Sequence, residues 1–144
     1  MIVTFCGHAD FQRSDEYEKK IFDFFEKNIG EQSTEVYLGG YGAFDEFAYK
    51  CCKKYKATHP NMFLIFVTPY INVECQELEY DSIIYPDIED KPLKLAILYR
   101  NRYMVEKADC VIAFVTRPFG GAYKTYKYAQ NKKKHIFNLA DFDE

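Results

Sequence analysis

The sequence predicts an α/β chain: one three-layer α/β/α domain built on a mostly parallel sheet. Two observations carry this. Apolar runs of strand length alternate with longer stretches whose apolar residues recur at helical spacing. Glycine or polar clusters close three of the strands. Alternation of this kind implies right-handed crossovers between parallel strands, with helices on both faces of the sheet.

Residues 2–6 form the first β-rich run, stopping at Gly7. Ser14 is placed to cap a helix whose first turn carries Asp15 and Glu16, where the dipole favours acids. Tyr17, Ile21, Phe24, Phe25 and Ile29 repeat along it, and Gly30 sits where a C-terminal cap belongs. Residues 34–38 form the second strand, ended by Gly39, Gly40, Tyr41 and Gly42. Phe44, Phe47, Ala48, Cys51 and Tyr55 then share one helix face, and Pro60 marks its end. Residues 62–67 are continuously apolar, as in a strand covered on both sides. Residues 71–91 hold seven acids against Lys91 alone and are expected to be a surface excursion containing a short strand at 82–85. A helix over 93–107 follows, with Ile97, Asn101, Met104 and Ala108 expected inward. Residues 110–115 are a buried strand, residues 117–121 a turn, and a helix through Thr125 and Ala129 leads to a last strand at 136–139. The whole is a Rossmann-like order, whose ligands bind at strand carboxyl ends near the topological switch point.

At 144 residues the chain affords one core. With 48% apolar and 28% charged residues it is neither disordered, collagen-like nor coiled coil. A net charge of −3 offers no bulk attraction for DNA or membranes, and no apolar run is long enough to span a bilayer. The unusual feature is 13 Tyr and 13 Phe with no Trp, which suggests a stacking surface or subunit interface beyond the core. Five irregularly spaced cysteines point to buried thiols in a reducing cytoplasm, not to disulfides or a zinc site.

Three loops at strand ends could carry chemistry. Gly7 and His8 belong to the first; Gly39, Gly40, Gly42, Asp45 and Glu46 to the second; Arg117, Gly120, Gly121, Lys124 and Thr125 to the third. Glycine lets the backbone approach an anion closely, and the helix N-terminus behind it offers free N–H groups. Two glycine loops on one sheet edge therefore suggest a phosphate cradle. Arg100 and Arg102 occupy the first half of a helix, where the dipole mildly disfavours cations, so a counter-anion is expected beside them. Arg117 and Lys124 could neutralise phosphate, Thr125 donate a hydroxyl, and His8 or Asp45 orient a sugar. Tyr41, Phe119 and Tyr123 could stack on a base. No Gly-x-Ser-x-Gly elbow and no Walker lysine motif is present.

The run Arg100, Asn101, Arg102, Tyr103, Met104, then Ala108 and Asp109 before an apolar strand, then residues 120–125, resembles the core of the DNA-processing DprA family. Gly39 and Gly40 with Asp45 and Ala48 resemble that family's motif after its second strand. The same stretch is similar to the Lonely Guy phosphoribohydrolases, and both groups belong to the SLOG superfamily of nucleotide-linked Rossmann-like domains. The resemblance covers nearly the whole chain. It implies a nucleotide-derived ligand, such as a nucleoside phosphate or an ADP-ribose-like molecule, bound for sensing or sequestration without metal or cofactor, by a homodimer or larger homo-oligomer. Where the Lonely Guy enzymes carry a catalytic Glu, no acid follows Gly121 here; Glu46 is instead the candidate carboxylate for cleavage of a nucleotide N-glycosidic bond. A third class, single-stranded nucleic-acid binding, would use Arg100, Arg102 and residues 117–134, which hold six Lys or Arg and no acid.

Overall fold

A computed structural model describes residues 1–70 and 79–143. Cys75, Glu74 and Glu77 lie outside the described residues. Six strands form one sheet: β1 (Ile2–Gly7), β2 (Thr34–Leu38), β3 (Met62–Val67), β4 (Ser82–Ile84), β5 (Cys110–Phe114) and β6 (His135–Asn138). Four helices connect them: α1 (Asp15–Asn28), α2 (Ala43–Lys56), α3 (Ala96–Lys107) and α4 (Gly121–Asn131). The order is β4-β3-β2-β1-β5-β6, and every pairing is parallel. The chain winds outward from β1 through β2 and β3, then crosses to β5, so the switch point lies between β1 and β5.

Side-chain alternation along the strands makes two cores. Val3 and Phe5 of β1, with Val36, Leu38, Leu64 and Ile112, pack beneath α1 and α2. Cys6, Val111, Ala113 and Val115 pack beneath α4, and Tyr37, Ile65 and Val67 meet Met104 of α3. This gives three layers. Much of the aromatic surplus is spent inside: Phe11 lies 4.7 Å from Phe114, 5.2 Å from Phe44 and 5.0 Å from Phe47 between ring centroids.

Local signals act as the sequence suggests at α1. The Ser14 hydroxyl accepts the N–H of Glu16, and Gly30, at a φ of 55°, returns its N–H to the Phe25 carbonyl. The acidic stretch supplies β4 at one sheet edge, with Ile83 exposed. The α3 register differs from expectation. Arg100, Met104 and Val105 face inward; Ile97 is 41% exposed and Asn101 half-buried. A charged side chain holds the position that hydropathy assigned to its neighbours.

Candidate functional site

A cleft of about 280 Å³ opens at the carboxyl ends of β1, β2 and β5, over the switch point. Gly7, His8, Asp45, Arg100, Arg117, Gly120, Gly121 and Thr125 line it. So do Tyr41, Ile97 and Asn101. Ile97 is a cleft residue that the sequence does not disclose, because an aliphatic side chain in the first turn of α3 reads as core.

Arg100 is the best-fixed side chain here and is only 2% exposed. Its Nη1 donates to the carbonyls of Gly39 and Val67, both at 2.8 Å, and its Nε donates to Asn101 Oδ1 at 2.8 Å. Its expected anion is thus largely replaced by carbonyl dipoles at the ends of β2 and β3, with Asp45 beside them. The guanidinium also lies 5.6 Å from the centroid of the exposed Tyr41 ring. Asp45 is half-buried, and its Oδ2 accepts the Tyr41 N–H at 3.0 Å. Burial pushes its carboxyl up to about 6, against the pull of that N–H and of Arg100.

The two helix N-termini are not equivalent. At α2 the Ala43 N–H donates to the Ala9 carbonyl, and Tyr41 N–H is taken by Asp45. The glycines of that loop have packing roles. A Cβ on Gly39 would stand 3.1 Å from Asp45 Oδ2 and 3.2 Å from Arg100; one on Gly40, at a φ of 75°, would stand 2.7 Å from Phe66. Of the 39–42 donors expected to cradle phosphate, the Tyr41 N–H is thus engaged within the fold. At α4 the N-cap is built as at α2, with Gly120 at a φ of 92° against 91° for Gly42 and no side-chain cap at either helix; what differs is the Ala43 N–H, which the Ala9 carbonyl takes at α2. Gly121 and Ala122 of the first turn of α4 line the cleft.

His8 is buried, and its Nε2 accepts the Thr116 N–H at 3.0 Å, tying the β1 and β5 loops together. Arg117 forks onto Asp10 through two nitrogens, at 3.1 and 3.4 Å, and lies 5.4 Å from the exposed Phe119 ring. The Arg117 hydrogen bonds hold the Asp10 carboxyl below its usual range. The Thr125 hydroxyl donates back to the Gly121 carbonyl.

Three expected residues lie elsewhere. Glu46 is one residue, and thus about 100° of helix, beyond Asp45; it lines a groove between α1 and α2 and pairs with Lys50 at 3.0 Å. Arg102 and Lys124 line a groove between α3 and α4. Cys6, Cys51, Cys52 and Cys110 are free and buried, with burial pushing the Cys6 and Cys51 thiols up to about 12. Among the described residues no three potential ligands gather around a metal position, and no helix is long and apolar enough to cross a membrane.

The fold has a solved counterpart. The chain is similar to DNA processing protein A from Helicobacter pylori, a protein described for its single-stranded DNA binding mode, with a TM-score of 0.61 and 18% identity. The match covers 98% of this chain and 66% of that one, so this chain spans less than two thirds of its counterpart. The Rossmann-like α/β architecture expected from sequence is thus shared with a DprA protein. No family model and no curated protein matches.

Proposed function

We propose that the switch-point cleft binds a nucleotide-derived small molecule, with a phosphate on the uncapped N-terminus of α4. The observation that carries this is the meeting, in one cleft, of the first turn of α4, which no side chain caps among the described residues, with a half-buried carboxylate, Asp45, beside the exposed Tyr41 ring. The N–H groups of Gly121 and Ala122 face the anion, and Arg117 adds charge. Tyr41 and Ile97 offer an apolar wall for the base. Asp45 accepts a hydroxyl or amine of the ligand. Cleavage through Glu46 gains no support, because that side chain lies outside the cleft.

The test is retention. The protein is incubated with AMP, ADP-ribose, NAD, a deoxynucleotide and a short single strand, then filtered, and bound and free fractions are analysed by mass. Retention of one intact compound, lost in Asp45→Ala, is the expected result. No retention of any compound would overturn the reading, and free base beside a sugar phosphate would make the protein a hydrolase instead.

A second reading is favoured by the similarity to the Helicobacter pylori protein and by the acid-free, lysine-rich stretch at 117–134. On it, a single nucleic-acid strand lies across α4. Affinity then falls steeply with salt, whereas a flat salt response removes this reading.

A further inference from the structure

A second groove neighbours the switch-point cleft beside α4. Thr125 lines both the cleft and this groove, which measures about 420 Å³ and lies between α3 and α4. Arg102 lines that groove, and its guanidinium lies over two rings, 5.3 Å from the Tyr99 centroid and 5.2 Å from the Tyr128 centroid. Its Nε is fully buried with no hydrogen-bond acceptor among the described residues. Buried donors are nearly always paired, and a charged one left unpaired is costly. The exposed Lys124 lines the same groove and forms no ion pair among the described residues. The nearby acid, Glu106, is engaged through Oε1 by the Tyr128 hydroxyl. The groove is therefore lined by positive charge and aromatic surface, with an unmet donor buried in its wall.

We propose that this groove is a second anion subsite continuous with the cleft. The ligand is then two or more nucleotide units joined through phosphate, one held at α4 and the next at Arg102 and Lys124. This inference rests on the cleft reading above. The cleft's own volume is at the low end of small-molecule pockets, which start near about 300 Å³; a single nucleotide fills it, and a longer ligand must run into the groove. An arginine already held against two rings loses little freedom on gripping phosphate oxygens. A free dinucleotide and a segment of a single strand offer this same chemistry.

Titrations of the full chain with AMP, the dinucleotide pApA and a twelve-residue deoxyadenylate strand test it, using wild type, Arg102→Gln and Lys124→Gln. Lys124 is exposed, so its variant retains the fold even if the Arg102 change disturbs it. Wild type is expected to bind pApA at least about tenfold more tightly than AMP, the equivalent of one further charge-assisted contact. Each variant should remove most of that margin while AMP affinity stays unchanged. Equal affinity for AMP and pApA would overturn the inference, as would equal losses for both in the variants. Binding of none of the three sinks the cleft reading itself; AMP binding without a dinucleotide margin sinks only the second subsite. Given the margin, a strand tighter than pApA identifies a polymer as the ligand, and equal affinities identify a free dinucleotide.

Discussion

His8 Nε2 accepts the Thr116 N–H at 3.0 Å, so that ring nitrogen carries no proton. The bond joins the loop after β1 to the loop after β5, across the seam where the cleft opens. Burial, then the nearby Arg117 charge, hold the His8 pKa below its usual 6.5, with Asp10 opposing. A folded pKa below the unfolded one means that the neutral-histidine bond stabilises fully above about pH 6.5 and is lost as pH falls toward the folded value.

His8→Leu leaves the Thr116 N–H without its acceptor and is expected to cost about 1–3 kcal/mol at pH 7.5. The gap between wild type and variant should narrow between pH 7 and pH 5. Urea denaturation at several pH values reads this gap directly, and a pH-independent gap would remove histidine ionisation as its source.

Asp45 works in the opposite direction. Its carboxyl is raised to about 6, so ionising it at neutral pH costs the folded state stability, and the cost disappears as pH falls from about 6 toward the ordinary 3.8. Asp45→Asn keeps an oxygen for the Tyr41 N–H without the charge. Its Tm should exceed wild type by about 2–6 °C at pH 7.5, and the difference should shrink as pH falls from about 6 and close near the ordinary 3.8. Ligand retention should fall in the same variant, the trade of stability against function common at binding sites. A wild-type-like Tm at pH 7.5 would show that the charge is well accommodated.

Arg100 bridges the ends of β2 and β3 through the carbonyls of Gly39 and Val67. Arg100→Met is expected to cost about 2–4 kcal/mol, since it strands both acceptors and leaves Asp45 without its neighbouring cation. Arg100→Lys should recover only part of this, because one ammonium cannot match the planar fork. Chemical denaturation of the three proteins settles the ranking; equal stabilities would mean that water satisfies both carbonyls.

Strand runs and glycine stops made the architecture legible, because a strand buried on both faces has no polar alternation to obscure it. Residues 62–67 and 110–115 show this. The cleft was half legible. Strand ends and glycines located it, but the α3 register did not follow hydropathy: Arg100 turns inward to strand carbonyls while Ile97 faces the cleft. Partners so far apart in sequence leave no periodic trace. The pair Asp45 and Glu46 illustrates the same limit. Both sit in the first turn of α2, yet one helix step sends one into the cleft and the other toward Lys50.

The seam between β1 and β5 also sets an order of assembly. It joins positions as distant as Ile2 and Asp109, 107 residues apart, whereas β1, β2 and β3 lie within the first 67 residues. During synthesis the β1-β2-β3 half can pair while β5 and α4 are still unmade, with one flank of β1 open and adhesive until they arrive. The cleft therefore comes into being only once β5 and α4 join β1. A ligand that fills it would act as a clasp on the finished molecule, slowing the parting of its two halves more than it hastens their meeting.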